Sequence, residues 1–456
     1  MSQYTRGLAE YISGTKFEDL PQDVVEHTKL LVLDTVGAGL LGVDLEWSER
    51  LRDGIFGIEG NGDASVWGTN RKLSAPTAAM VNGTAIHGFE IDDVGAGGHN
   101  GSVTLPSIMA LAEHRGGISG KDLINAVVTG IETASRVGNC VGNIPHTEMG
   151  FHGPGLMGTF AAAASAARTL QLTPEQVVDT LGTAGQQAAS LMFTHHGGMG
   201  KRLLAGQAAR NGVTAAVLSG AGFTNADNVF EAEYGGFPSA HTGNRGTEYY
   251  DLTQLTKDLG TVYNTRDVNF KMWACRVPNH PTLEGIKELR LQHPFTAADV
   301  AKVRIRLAKG SFQNVGWKFE GHVTVTSSQL NIYYVSAVML LEGDVSIEQF
   351  GEDKLHSKAV ADMIARLEVI HDPALDQGPG RADPIEIELK DGTVLKTVGR
   401  QRTTKHNAPT LEDVMAKFRK LAARRLSTSA QDAMIAFCKD LESVKDATEL
   451  VRMMCP

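Results

Sequence analysis

The chain reads as a mainly α protein: a large all-helical domain with a smaller α+β domain inserted into it. Three observations carry that reading. Up to about residue 265, apolar and small residues recur at helical spacing with almost no strand alternation. Strand signals then cluster: Lys302 to Ala308 alternates, and Ile385–Leu389 and Val394–Val398 flank an Asp391-Gly392 turn. From about residue 409 helical periodicity returns in LEDVMAKFRKLAARRL and SAQDAMIAFCKDLESV. The expected boundaries are 1–266 plus 400–456 for the helical domain and 267–399 for the α+β domain.

Taken in order, QDVVEHTKLLVLDTVGAGLLG after Pro21 predicts a long helix. Gly37-Ala38-Gly39-Leu40-Leu41-Gly42 within it fits GxGxxG, the dinucleotide pattern, but that pattern needs a strand before it and a helix after it. Here helical sequence precedes and a polar stretch follows, so the glycines read as a small-residue packing face. Ser74-Ala-Pro-Thr opens the next helix, and 105–115 and 120–136 are two more, split by Gly116-Gly117. Residues 156–170 and 173–190 form a helix pair, the second started by Thr173-Pro174-Glu175-Gln176. A small-residue helix at 206–220 and an apolar helix at 327–342 complete the set.

Composition excludes several classes. With 43 Lys and Arg against 52 Asp and Glu, the net charge is −9, and no basic block suggests nucleic acid. No run of eighteen apolar residues predicts a membrane span, and the first twenty residues lack a secretory pattern, so the expected location is the cytoplasm. The four cysteines, at 140, 275, 438 and 455, fit neither a zinc site nor an iron–sulfur cluster by spacing.

Candidate chemistry gathers on glycine-rich breaks between helices. The first break, Glu90-Ile91-Asp92-Asp93 to His99, sets three carboxylates before a histidine among Gly95, Gly97, Gly98 and Gly101. A carboxylate can orient and polarise an imidazole. Met149 to Gly155 carries His152 just before a helix, where an anion is favoured. Gly197-Gly-Met-Gly200 leads into Lys201-Arg202 without P-loop spacing, and His195-His196 beside it reads as loop-forming. Lys271, Cys275 and Arg276 fall at the expected domain junction, and Tyr334 lies in the apolar helix LNIYYVSAVMLL.

These stretches resemble the MmgE/PrpD family, whose members include 2-methylcitrate dehydratases, cis-aconitate decarboxylases and an iminodisuccinate epimerase. The resemblance covers nearly the whole chain. It implies a large helical domain with a smaller lid domain, a homodimer, and catalysis on a small di- or tricarboxylate without metal or redox cofactor. It implies catalytic roles for His99, His152, Glu90, Asp93 and Tyr334, and substrate-carboxylate binding by Lys201 and Lys271. The expected chemistry is proton removal next to a carboxylate. Dehydration is the commonest outcome in the family, with epimerisation and decarboxylation as alternatives and a non-catalytic carboxylate-binding protein as the rival of another class. Val94 replaces a threonine common in the family, Asn100-Gly101 replaces Pro-Ser, and the loop before His99 is one residue short. These departures bear on the substrate.

Overall fold

The computed structural model describes residues 2–196, 198–318, 323–377 and 382–455. It is mainly α, and its contacts divide the chain into two compact units. The first holds residues 1–88, 92–270 and 410–456; the second holds 89–91 and 271–409. The boundaries fall four and ten residues beyond those drawn from sequence texture, at 270 rather than 266 and at 409 rather than 399. The short segment Phe89–Ile91 also groups with the second unit although both flanks belong to the first.

The first unit is built on helices that approach closely because their contact faces are Ala and Gly. Gln22–Gly42 is one continuous helix, so no strand precedes the GAGLLG glycines and the dinucleotide arrangement is absent there. Those glycines serve packing: a Cβ on Gly42 would lie 1.7 Å from the Ala85 carbonyl oxygen, and one on Gly39 would meet Trp67 at 2.9 Å. The helix Leu411–Ala422 packs on the same helix and joins it through a buried ion pair, Lys417 Nζ to Asp34 Oδ1 at 2.6 Å. Ala75–Ile86, Gly101–Arg115, Gly120–Val141, Gly153–Thr169 and Gly200–Gly220 form the buried centre. Pro174–Gln187 starts on the Thr173/Gln176 capping box that its sequence announces.

One helix begins earlier than its proline suggests. Gly101–Arg115 starts five residues before Pro106, because the Asp93 carboxylate satisfies the backbone N–H groups of Asn100 and Gly101. Pro106 therefore sits inside the helix, where it removes the N–H that would bond the Ser102 carbonyl. That carbonyl faces Gly83, whose Cβ, if present, would lie 2.7 Å away.

The second unit carries a four-stranded sheet in the order Leu367–His371, Val300–Leu307, Ala382–Leu389, Val394–Arg400. The first pair is parallel and the others antiparallel, with Ile305 opposite Ile385 and Ile387 opposite Leu395. The expected hairpin is present, with Gly392 at φ 88 in its turn. The Leu367–His371 strand carries no clear alternation of its own, and partnership with Val300–Leu307 makes it a strand. The apolar stretch at 327–342 is broken at Asn331, whose side chain caps a new helix at Ile332 by accepting the N–H groups of Tyr333 and Tyr334.

Candidate functional site

The histidine loop is shaped by a tight reversal. Gly95 and Gly98 exchange both backbone hydrogen bonds, at 3.0 and 2.9 Å, around Ala96 and Gly97, and both central residues have positive φ. This is a two-residue turn of the kind that glycine favours. Asn100 closes the loop by donating from Nδ2 to the Gly95 carbonyl at 2.8 Å. Gly101 has no room for a side chain: a Cβ there would lie 2.1 Å from Thr35 Oγ1. The Asn-Gly pair thus fits this shortened loop, in which Pro-Ser would lose the Asn100 N–H and meet Thr35.

Around this loop the helical unit assembles a buried chain of polar groups. His87 Nδ1 stands 2.7 Å from Asp92 Oδ2, and both side chains are fully buried. His99 Nδ1 stands 2.7 Å from the Asp93 carbonyl and 3.3 Å from the same Asp92 oxygen. The two imidazoles meet edge to face, 4.7 Å between centroids. On the far side of His87, Nε2 lies 3.5 Å from Lys201 Nζ. Burial, outweighing the pull of Asp92, holds the His87 imidazole down at about 4, so it is neutral at ordinary pH. Its Nδ1–H then donates to Asp92, and Nε2 is the acceptor facing the lysine.

Helix packing puts Lys201 beside His87. Lys201 lies in the first turn of Gly200–Gly220, and His87 terminates Ala75–Ile86. The two helices touch where Gly206 leaves no space: a Cβ there would stand 2.2 Å from both the Met80 carbonyl oxygen and Thr84 Oγ1. Ala75–Ile86 and Gly200–Gly220 make one of the most extensive helix contacts in the molecule.

Of the acidic residues, Asp93 acts on backbone. Its Oδ2 and Oδ1 accept from Asn100 and Gly101 at 2.7 and 2.8 Å, and its carbonyl accepts from His99. Burial and the neighbouring Asp92 charge push its carboxyl up to about 6, against the pull of His99 and the two N–H groups. Asp92, rather than Asp93, faces the histidine rings.

His152 caps the N-terminus of Gly153–Thr169, nearly buried, and its N–H bonds the Ser190 carbonyl at 2.9 Å. A Cβ on Gly98 would touch Pro154 Cα at 3.4 Å, so the His99 loop packs on the start of this helix. The bridge between Phe151 and Leu191, with the Met192 N–H to the Gly150 carbonyl, ties the His152 loop to the segment leading to Lys201. Three glycine-rich breaks are thus stitched together within one unit. Gly197 and the side chains of His195 and His196 lie outside the described residues.

The remaining candidates belong to the second unit. Glu90, at φ 56, adopts a left-handed conformation that costs a non-glycine residue energy, and its Oε2 pairs with buried Lys271 at 3.1 Å. The Cys275 thiol is pushed well up by burial, which removes it as a nucleophile at ordinary pH. The Tyr334 hydroxyl, expected in a catalytic role, donates to the Gln349 carbonyl at 2.6 Å; its ring stacks on Phe350, and burial raises its pKa. That hydroxyl is committed to the core.

His87 is the residue that sequence reasoning passed over. Its one signal was position, five residues before Asp92 at the end of a helix. His87, Asp92 and His99 also bring one ligand atom each within 4.8 Å of one another, a spacing a metal ion could use. The Asp93 carbonyl already engages His99 Nδ1, and a lysine cation stands next to His87, so the distances describe a hydrogen-bonded chain ending on a cation.

Family models match both parts of the chain, the MmgE/PrpD N-terminal domain over residues 6–249 and the C-terminal domain over 273–443. A cis-aconitate decarboxylase-like protein of Aspergillus oryzae is 31% identical over 99% of this chain and 97% of its own length. A cis-aconitate decarboxylase of Aspergillus terreus is 30% identical, covering 100% and 96%. The cis-aconitate decarboxylase of Homo sapiens is 27% identical, covering 100% and 95%.

Proposed function

The chain belongs to the MmgE/PrpD family, and on that premise we propose that this enzyme of the lyase class is a carboxy-lyase that releases CO2 from cis-aconitate or a close tricarboxylate. The observation that carries the choice of decarboxylation over dehydration is end-to-end similarity to proteins named for that reaction.

In this reading Lys201 holds a substrate carboxylate, and the helix N-terminus at His152 favours a second anionic group. The bond to the departing carboxylate breaks, CO2 leaves, and the electron pair passes into the adjacent double bond. A proton from His99 closes the reaction at carbon. Asp92 and the Asp93 carbonyl engage His99 Nδ1, which makes Nε2 the nitrogen for that transfer. Substrate plus one proton gives CO2 and a five-carbon unsaturated diacid. His99 regains its proton from solvent. The homodimer implied by the resemblance is part of the same proposal, and sedimentation velocity measures it.

Proton NMR in D2O tests the reaction. Cis-aconitate should yield a five-carbon diacid with one deuterium at carbon, together with CO2. His99→Ala should lower kcat by about 10³-fold while the protein stays folded. No CO2 from cis-aconitate, with water loss from a hydroxy-tricarboxylate such as 2-methylcitrate, would replace this reading with a dehydratase. Deuterium exchange without elimination would replace it with an isomerase.

A further inference from the structure

We propose that His87 is a positioning residue that sets Lys201 and Asp92 at the same time. The inference rests on the reading of Lys201 and His99 above and adds a residue that no comparison assigns. One imidazole, wholly buried, lies between two groups with different tasks. Its Nδ1 is 2.7 Å from the Asp92 carboxylate that also approaches His99, and its Nε2 is 3.5 Å from the Lys201 ammonium.

A neutral imidazole has one donor and one acceptor. Donation from Nδ1 to Asp92 fixes Nε2 as an acceptor, and the ammonium is the donor that suits it. Asp92 is then oriented by one ring and presented to the second. The two rings meet edge to face, so a shift of His87 reaches His99 both through Asp92 and by direct contact. No other residue type does both jobs at this length. Asparagine keeps a donor near the Nδ1 position, glutamine keeps an acceptor near Nε2, and phenylalanine keeps only the shape.

That difference is the experiment. Each contact involves a charged group, and the loss of one such bond corresponds to about 10–100-fold. His87→Phe should raise KM for the tricarboxylate about 10-fold and lower kcat about 100-fold. His87→Gln should recover most of the KM and little of the kcat, whereas His87→Asn should recover kcat more than KM. Three variants with equal losses would reduce His87 to a packing residue, and three with wild-type kinetics would remove it from the site.

A second measurement needs no substitution and no substrate. In wild-type protein labelled with 15N-histidine, His87 should be the Nδ1-protonated tautomer. An Nε2-protonated ring cannot accept from Lys201, and its observation would overturn the proposal even if the variants fail to fold. The correct tautomer with no CO2 release from cis-aconitate would leave the His87 arrangement standing and sink only the choice of reaction.

Discussion

In the helical unit Lys201 stands 3.5 Å from the imidazole Nε2 of His87, whereas in the second unit Lys271 stands 3.1 Å from the carboxylate of Glu90. Both lysines are buried, and both follow from the sequence as candidates to hold substrate carboxylates. Their neighbours separate them. A carboxylate in front of an ammonium forms an ion pair that an incoming carboxylate must displace, and breaking it strands a buried charge. An imidazole carries no competing negative charge, and it passes the polarisation through its other nitrogen to Asp92. Residue type and burial are the same; on the proposed reading, the His87 neighbour suits Lys201 to binding and the Glu90 pair suits Lys271 to structure.

The sharpest way to break that comparison is Lys271→Met. It leaves Glu90 buried without its ammonium and should cost about 3–5 kcal/mol in chemical denaturation. Adding Glu90→Gln should restore most of that stability. Loss of turnover at unchanged stability would instead give Lys271 the substrate role that the resemblance implies.

The packing that brings Lys201 to His87 comes next. Gly206→Ala pushes a methyl group against the Met80 carbonyl and should destabilise by about 2–3 kcal/mol, with turnover falling as the helices separate. Gly54→Ala, in the Glu46–Phe56 helix where a Cβ meets nothing within 4 Å, should stabilise by about 0.5–1 kcal/mol. Equal effects from the two would refute the close-approach argument.

Titration separates Asp93 from His87. The Asp93 carboxyl is raised from 3.8 to about 6, so across that interval the folded state binds more protons than the unfolded state. Its contribution to stability is therefore greatest below the lower value and is lost as pH rises through the upper one. His87, lowered from 6.5 to about 4, works in the opposite sense: its contribution is present above the upper value and lost as pH falls through the lower one. The two oppose each other, so wild-type stability should vary little there on their account. In Asp93→Asn the stability relative to wild type should climb by about 1 kcal/mol per pH unit between about pH 4 and about pH 6. Denaturant midpoints at several pH values measure it, and a flat difference would mean that Asp93 titrates normally.

The smallest effect expected is that of Tyr334→Phe. Loss of the bond to Gln349 should cost about 1 kcal/mol, with kcat within about twofold of wild type. A hundredfold drop would return the hydroxyl to the catalytic set.

Much of the site was legible along the chain. Glycine clusters mark where helices break, and a histidine after a run of carboxylates marks chemistry, because loops carry functional groups on rigid supports. His99, His152 and Lys201 became candidates that way, with their roles implied by the family resemblance. His87 was not, since one histidine at the end of an apolar helix looks like any core histidine until Asp92 and Lys201 arrive from other segments. Asp92 and Asp93 are adjacent, and the chain order does not say which faces a ring and which caps a helix. The backbone turn at Ala96-Gly97 decides that. The expected helix start at 105 fell late for a related reason: a cap made by Asp93, eight residues before the helix opens at Gly101, is not part of the helix's local signal.

By itself the sequence determined what short-range physics can determine. It specified a mainly α chain, the helix starts at Thr173 and Gln22, the hairpin around Gly392, and the small-residue faces that permit close approach. Only the tertiary structure decided the partners: Glu90 for Lys271, His87 for Lys201, and Gln349 for the Tyr334 hydroxyl. Periodicity and capping act within a few residues, whereas these pairings join positions 181, 114 and 15 residues apart. Which of them meet is set by how closely glycine-faced helices and sheet strands pack, a property of the whole fold and of no single stretch.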